Sequence, residues 1–229
     1  MVGNEEVWDS LSELAVTLTA EERSEIAQNM VVRKFEKNVT IYSEGDEPEN
    51  LLCLLDGKVK IYKEGVGGRN QIVRVVRAVE YFGYRAAFSE EKYVTGAAAF
   101  ESSTIAIIPM RLIFAIAENN ANLCNFFIRK LAKALGKSDE RTVNLTQKHI
   151  RGRLAESILF LKENYGVEED GCTLSIYLSR EDMANLSNMT TSNAIRTLSL
   201  FAQEKMIAID GRKIKIINED ALRKTSQIG

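Results

Sequence analysis

Small hydrogen-bonding side chains stand beside an arginine in the stretch from Leu178 to Ile207. They are Thr190, Thr191, Ser192, Asn193 and Arg196. Side chains of these types at the N-terminal end of an exposed helix can reach base edges in the major groove of DNA. A plain αα-hairpin with a polar outer face would carry similar residues, so this group alone leaves both interpretations open.

The same stretch predicts the two helices that would position these side chains. Ser179, with Asp182 three residues later, can cap a first helix, and Thr190 can cap a second. Asn188 lies where the chain must reverse, and asparagine readily adopts the left-handed conformation that such a turn needs. The apolar spacing of the second helix predicts an inward face of Ala194, Thr197, Leu198 and Phe201.

The residues on either side of this helix pair predict a winged helix. Residues 150–165 read as an amphipathic helix that ends at Gly166, and residues 167–178 as a loop with a short strand. A two-stranded hairpin is predicted over residues 207–217, with Arg212 and Lys213 at its tip. Cations at this tip can contact phosphates, which favours the DNA interpretation.

A second candidate site is the sequence FGYRAAF at residues 82–88, in which Gly83 directly follows Phe82. It can form one helical turn whose backbone N–H groups face a barrel interior, a plausible cradle for an anion. The alternative is a simple connection between strands, and the local sequence alone favours that alternative.

Short strands surround this second site. Seven β-rich runs are predicted, over residues 31–35, 39–42, 51–55, 58–63, 71–77, 94–100 and 103–109. Turn signals separate them, including Asp56-Gly57 and the glycine-rich residues 65–68. This pattern predicts a β-barrel or a double-sheet jelly roll. Helices are predicted before it, over residues 6–29, with Thr19 and Glu22 as a capping box.

A long helix is predicted from a cap at Asn120 or Asn122 to about Leu145. Its seam consists of Cys124, Phe127, Leu131, Leu135, Ser138 and Thr142. These steps of three and four residues are typical of a coiled coil, which favours a homodimer with paired helices. A single helix packed along its own domain is the alternative.

Composition narrows the function classes. The 229 residues carry a net charge of −2, with three dispersed cysteines and one histidine, His149. No cysteine pair has metal-ligand spacing, and one histidine is a poor basis for a metal site or a Ser-His-Asp triad, so we expect no metal and no enzyme. No run of eighteen apolar residues and no signal peptide is visible, which predicts a cytoplasmic protein without membrane contact.

In this order the elements resemble the cAMP receptor protein/FNR (CRP/FNR) family of bacterial transcription regulators. The resemblance covers about residues 10–220. It rests on Gly45-Asp46, Leu55-Asp56-Gly57-Lys58-Val59, Phe82-Gly83, Asn144-Leu145, Arg151-Gly152-Arg153-Leu154-Ala155 and the residues from Leu178 to Ala184. It implies an α+β chain with an N-terminal double-stranded β-helix (jelly-roll), cyclic-nucleotide-binding-like domain over residues 1–118. A long dimerisation helix over 119–146 and a C-terminal winged helix-turn-helix over 147–229 would follow.

The resemblance also implies a function. The chain would be a homodimeric, effector-gated regulator that binds a near-palindromic site in double-stranded DNA and contacts RNA polymerase. Arg180 would contact a phosphate and orient the domain. Many members carry Arg and Glu where this chain has Thr191 and Ser192, while the second family Arg is kept as Arg196. The common half-site of the family is therefore not expected. A ligand-binding or docking module whose winged helix contacts protein remains the alternative.

The implied effector pocket departs from the cAMP-binding members. It comprises Phe82, Gly83, Tyr84, Arg85, Ala86, Val94, Thr95, Ser138 and Asp139. Those members have a Glu where this chain has Tyr84, and an Arg-Ser pair where it has Val94-Thr95. A charge-assisted contact to the cyclic phosphate would be lost, unless Arg85 provides it instead. We therefore do not expect cAMP to bind in the usual way.

The cofactors of other family members are not supported either. No cysteine precedes Cys53 to hold an iron–sulfur cluster, and His149 falls at the hinge instead of in the β domain. A haem held by Tyr84 or by a cysteine stays open. We therefore expect an unidentified small-molecule effector and no certain cofactor.

Overall fold

A computed structural model of the chain describes residues 4–65 and 70–228. The predicted turn at residues 65–68 therefore lies outside the described residues, apart from Gly65. Contacts divide the chain into two compact units. One comprises Met1–Glu64 and Val73–Gly136, and the other Gly65–Ile72 and Lys137–Gly229.

Three helices open the first unit, α1 (Asn4–Ser10), α2 (Ser12–Ala15) and α3 (Ala20–Asn29). The predicted capping box is confirmed. The Glu22 backbone N–H donates to Thr19 Oγ1 at 3.2 Å, and the Thr19 N–H donates to the Glu22 carboxylate at 2.8 Å. These bonds satisfy donors that the start of a helix leaves free.

Among the described residues of this region, eight strands follow in two four-stranded sheets. The strands are β1 (Val31–Phe35), β2 (Thr40–Tyr42), β3 (Asn50–Asp56), β4 (Val59–Glu64), β5 (Asn70–Val76), β6 (Tyr81–Phe82), β7 (Gly96–Ala99) and β8 (Ser103–Pro109). Their orders are β1-β8-β3-β6 and β2-β7-β4-β5. The predicted double-sheet jelly roll is confirmed. β6 was not predicted, because two residues are too few to show a period.

Strand β3 explains how the two cores of this unit are divided. Successive side chains of a strand point to opposite faces. Leu51 and Cys53 pack with the helices, whereas Leu52 and Leu54 pack inside the barrel. Residues 51–55 of β3 are all apolar because both faces of the strand are covered. After β3 the chain turns at Gly57, whose φ is +89°, and a Cβ there would lie 2.5 Å from the Ser102 carbonyl oxygen.

Three helices complete this part of the fold, α4 (Tyr84–Phe88), α5 (Met110–Ala117) and α6 (Ala121–Gln147). Of the two predicted caps for the long helix, Asn120 serves, because its Oδ1 accepts a hydrogen bond from the Leu123 N–H at 3.0 Å.

The second unit contains the predicted winged helix. Its elements are α7 (Ile150–Tyr165), α8 (Arg180–Leu186), α9 (Thr191–Gln203), β9 (Ile207–Asp210), β10 (Lys213–Ile216) and α10 (Glu219–Ile228). Ser179 and Thr190 cap α8 and α9, and Asn188 has a φ of +50°. These three predictions are confirmed. The helix α10 was not predicted.

The short strand predicted within residues 167–178 is wrong. Only isolated bridges form there, between Val167 and Leu174 and between Thr173 and Lys215. The Asp170 carboxylate accepts backbone hydrogen bonds from Cys172 and Thr173, at 3.0 and 2.8 Å. This local turn uses donors that a strand would direct to a neighbour. Among the described helices, none has the length and apolar character needed to span a bilayer.

Candidate nucleic-acid interface and effector pocket

One face of α9 is buried and the opposite face is free. The predicted inward residues Ala194, Thr197, Leu198 and Phe201 are all buried. Thr191, Ser192 and Arg196 are exposed, and the Arg196 side chain forms no hydrogen bond or ion pair with a described residue. The Asn193 N–H donates to Thr190 Oγ1 at 3.2 Å, so the Thr190 side chain is used as the cap. The exposed face thus presents hydroxyl groups and a guanidinium group to solvent.

The hairpin of β9 and β10, here called the wing, is linked to α8 by Arg180. Arg180 Nη2 donates to the Gly211 carbonyl oxygen at 2.7 Å, at the turn between β9 and β10. The predicted phosphate contact of Arg180 thus competes with an internal bond that holds the wing tip, and the contact stays a prediction.

The two cations at the wing tip have different environments. Lys213 Nζ lies 5.2 Å from the Tyr177 ring centroid and 3.7 Å from the Glu168 carboxylate. Arg212 is exposed and has no ion-pair partner among the described residues. Of the two, Arg212 is therefore the cation that can turn to a phosphate without leaving an internal partner.

The predicted helical turn at the second site exists as α4, and Gly83 caps it with a φ of +84°. A Cβ at this glycine would lie 3.0 Å from the Tyr93 hydroxyl oxygen. Ala86 packs inside the barrel, but the Tyr84 ring belongs to the core beside the helices, 5.4 Å from the Phe127 ring. Tyr84 is a packing residue in this structure, so its predicted place among the pocket residues is corrected.

Aromatic rings fill the barrel next to α4, and two of them, Tyr42 and Tyr93, were not singled out in the sequence. Tyr42 stacks on Tyr93 with 3.8 Å between ring centroids, and the Phe82 ring lies 6.4 Å from Tyr42. Burial raises the pKa of Tyr42 to about 12, against the lowering effects of a hydrogen bond to Thr95 and of the Arg74 and Arg85 charges. The Tyr42 side chain therefore stays a neutral phenol near neutral pH.

The other predicted pocket residues are more open to solvent. Val94 and Arg85 are exposed, and Thr95 is half-buried. Ser138 and Asp139 are exposed on α6. Contact of these residues with an effector stays a prediction.

Arg74 is a half-buried cation of β5 that sequence reasoning did not single out. It shares a face of β5 with the buried Ile72 and Val76. Its Nη2 lies 3.1 Å from Glu80 Oε2, and Arg77 Nη2 lies 3.2 Å from Glu80 Oε1. The sequence offered no clear signal for Arg74, because apolar residues occupy both faces of β5 and Val75 is buried as well as Ile72 and Val76.

Glu80 makes stability depend on pH. Its burial would raise its pKa, but the charges and hydrogen bonds of Arg74 and Arg77 outweigh burial and hold it below the usual 4.5. A lowered pKa stabilises the folded state above pH 4.5, and this contribution is lost as pH falls through the folded pKa. We expect urea unfolding of Glu80→Gln to be less dependent on acid than that of the natural chain. If the unfolding of both proteins depended equally on acid, the lowered pKa of Glu80 would not contribute to stability.

The long helix requires a correction to the predicted seam. Phe127 is 1% exposed and packs in the core of its own unit, and the half-buried Cys124 donates through Sγ to the Ala117 carbonyl oxygen. Ile128 and Leu135 are instead 59% and 65% exposed. The exposed or partly exposed heptad line is therefore Ile128, Leu131, Leu135, Ser138 and Thr142.

Within residues 4–65 and 70–228, no three His, Cys, Asp or Glu side chains come together as metal ligands.

Comparisons with known proteins find a matching family model in each of the two units. The family model of the cyclic nucleotide-binding domain matches residues 32–120, and that of the Crp-like helix-turn-helix domain matches residues 152–225. The chain is 27% identical over 189 residues to the global nitrogen regulator of Nostoc sp., covering 81% of this chain and 85% of that protein. It is 26% identical over 219 residues to the fumarate and nitrate reduction regulatory protein of Escherichia coli, covering 93% and 86%.

Solved structures show the same fold. FixK2 from Bradyrhizobium japonicum superposes with a TM-score of 0.77 at 20% identity, covering 86% of this chain and 96% of that chain. The likeness therefore extends over both units of the chain.

Proposed function

The chain belongs to the CRP/FNR family of transcription regulators, and we propose that it acts as a homodimer that reads a near-palindromic DNA site under the control of a small effector other than cAMP. The observation that carries this proposal is the free face of α9. Ser192 and Arg196 there have the donors and acceptors that base edges require. The family consists of transcription regulators rather than enzymes, and no observation favours the alternative in which the winged helix contacts protein.

The exposed line of α6 supports the homodimer. Ile128, Leu131 and Leu135 recur at steps of three and four residues, the spacing of a coiled-coil seam. An isolated chain leaves Ile128 and Leu135 largely in water, and pairing with a second copy would bury both. The seam becomes polar at Ser138 and Thr142.

The barrel supports an effector other than cAMP. Val94 and Thr95 lie where the resemblance implies a phosphate-binding Arg and its Ser neighbour, and neither residue carries a charge. Arg74, a half-buried cation of β5, is already paired with Glu80. A cyclic nucleotide would also have to displace the stack of Tyr42 on Tyr93. We expect titration calorimetry with cAMP to show no binding in the micromolar range, and micromolar affinity would overturn this part of the proposal.

The DNA function is tested by selection from a random duplex pool with the purified full-length chain. We expect an inverted repeat whose half-site centres lie about 10 base pairs apart, since a dimer places its two reading helices one helical turn apart. Sedimentation should give twice the 25.7 kDa of one chain. A monomer, or a pool without sequence enrichment, would contradict the proposal. As a regulator of this class it would act in the cytoplasm, with RNA polymerase as a further partner.

A further inference from the structure

Ile195 is an apolar side chain exposed on the hydrogen-bonding side of α9. It is 47% exposed, whereas its neighbour Ala194 is fully buried. It lies one residue before Arg196 and one helical turn after Ser192, and both of these are exposed. An isoleucine therefore stands among the polar residues proposed to read DNA.

The fold of the isolated chain gives little reason for isoleucine at this position. A β-branched residue is a weaker helix former than alanine, because its χ1 rotamers are restricted in a helix. About half of the side chain also stays in water, so little of its hydrophobic stabilisation is gained. The side chain is better accounted for by a surface that covers it in a complex.

The surroundings of Ile195 indicate which surface that is. A single apolar side chain between a hydroxyl group and a guanidinium group does not resemble an apolar groove for a protein partner. The major groove instead offers polar base edges together with one apolar group, the C5-methyl of thymine. We propose that Ile195 contacts a thymine methyl and so selects a T·A pair at one position of each half-site. This inference rests on the proposed DNA binding.

A second exposed apolar residue on the same helix provides the control. Leu200 is 38% exposed but lies more than one turn further toward the C-terminal end of α9. The N-terminal residues of a reading helix contact the bases. Leu200→Ala therefore removes a similar exposed side chain from a position that is not expected to reach them.

The test removes one symmetric pair of thymine methyl groups, one from each half-site, at a time. In the duplex enriched by the full-length chain, each thymine pair is replaced in turn by deoxyuridine, and binding is followed by fluorescence anisotropy. Loss of one buried methyl is worth about a three- to fivefold change in affinity per half-site. We expect this loss at one symmetric thymine pair for the natural chain and for Leu200→Ala. Ile195→Ala should bind thymine and deoxyuridine equally at that pair, and Ile195→Val should retain part of the difference.

The outcomes separate this inference from the proposed function. Sensitivity to deoxyuridine that is the same in Ile195→Ala and in the natural chain would overturn it, as would an enriched site in which no thymine methyl matters. A natural chain that enriches no sequence overturns the proposed function as well, so the two failures are distinguishable. Equal thermal unfolding midpoints would show that Ile195→Ala remains folded.

Discussion

Replacement of Arg196 by alanine is expected to weaken binding of the dimer to its selected site by about 2–6 kcal/mol, because each half-site loses a contact of about 1–3 kcal/mol. Arg196 is exposed on the free face of α9, and its side chain makes no hydrogen bond or ion pair with a described residue. Its substitution therefore removes an intermolecular contact without breaking one that holds the winged helix together. Anisotropy titrations of both proteins against the same duplex measure the difference.

The salt dependence of binding shows which contact Arg196 makes. If Arg196 pairs with guanine, discrimination at one base pair is lost while the slope of log K against log salt changes little. If it pairs with phosphate, affinity falls for all sequences and the slope decreases by about one per half-site. The matched control is Lys224→Ala, which removes the same charge from an exposed position on α10. Affinity loss of similar size in Lys224→Ala would argue that only net charge matters.

The helix pair around α8 and α9 was predictable because local chemistry decides it. Ser179 and Thr190 each accept a hydrogen bond from a backbone N–H three residues later, and Asn188 takes the left-handed turn conformation. All of these interactions lie within a few residues of sequence. The same rules could have found α10, since Asn218 precedes two acidic residues and its Oδ1 accepts a hydrogen bond from the Ala221 N–H at 3.0 Å.

The barrel interior was less predictable because its residues come from separate strands. Tyr42 ends β2, Arg74 lies on β5, and Tyr93 lies in the loop before β7. Only the pairing order of the sheets brings these side chains near α4, and no local pattern encodes that order. Comparison with the family drew attention to Val94 and Thr95, where a family contact is missing, rather than to the residues that fill the space in this chain.

The apolar line predicted along α6 differs from the exposed line of the helix for another reason. The predicted line through Cys124 and Phe127 and the exposed line through Ile128 share Leu131, Leu135, Ser138 and Thr142. Both lines have steps of three and four residues, so periodicity cannot choose between them. Tertiary packing decides, because the Phe127 ring lies 4.8 Å from the Phe88 ring at the end of α4. Phe127 packs in the aromatic cluster, and Ile128 is therefore left exposed.

Replacement of Phe127 by alanine is expected to destabilise the first unit by about 3–5 kcal/mol, the usual cost of removing a buried phenylalanine ring. Its ring also lies 5.4 Å from Tyr84 and 5.1 Å from Phe126, so the vacated volume would be surrounded by aromatic groups. Urea unfolding followed by the fluorescence of Trp8 reports on this core, because Trp8 is the one tryptophan of the chain and packs against the same cluster.

A matched pair of variants separates the core role of Phe127 from a role in the dimer seam. Phe114 lies 5.3 Å from Phe88 but is 38% exposed, so Phe114→Ala should cost clearly less than Phe127→Ala. Leu135→Ala should raise the dimer dissociation constant measured by sedimentation under native conditions. Phe127→Ala should leave that constant close to the natural value while it lowers the free energy of unfolding. If Phe127→Ala dissociates the dimer and Leu135→Ala does not, the seam runs through Phe127, and the assignment of Ile128 and Leu135 to the interface is wrong.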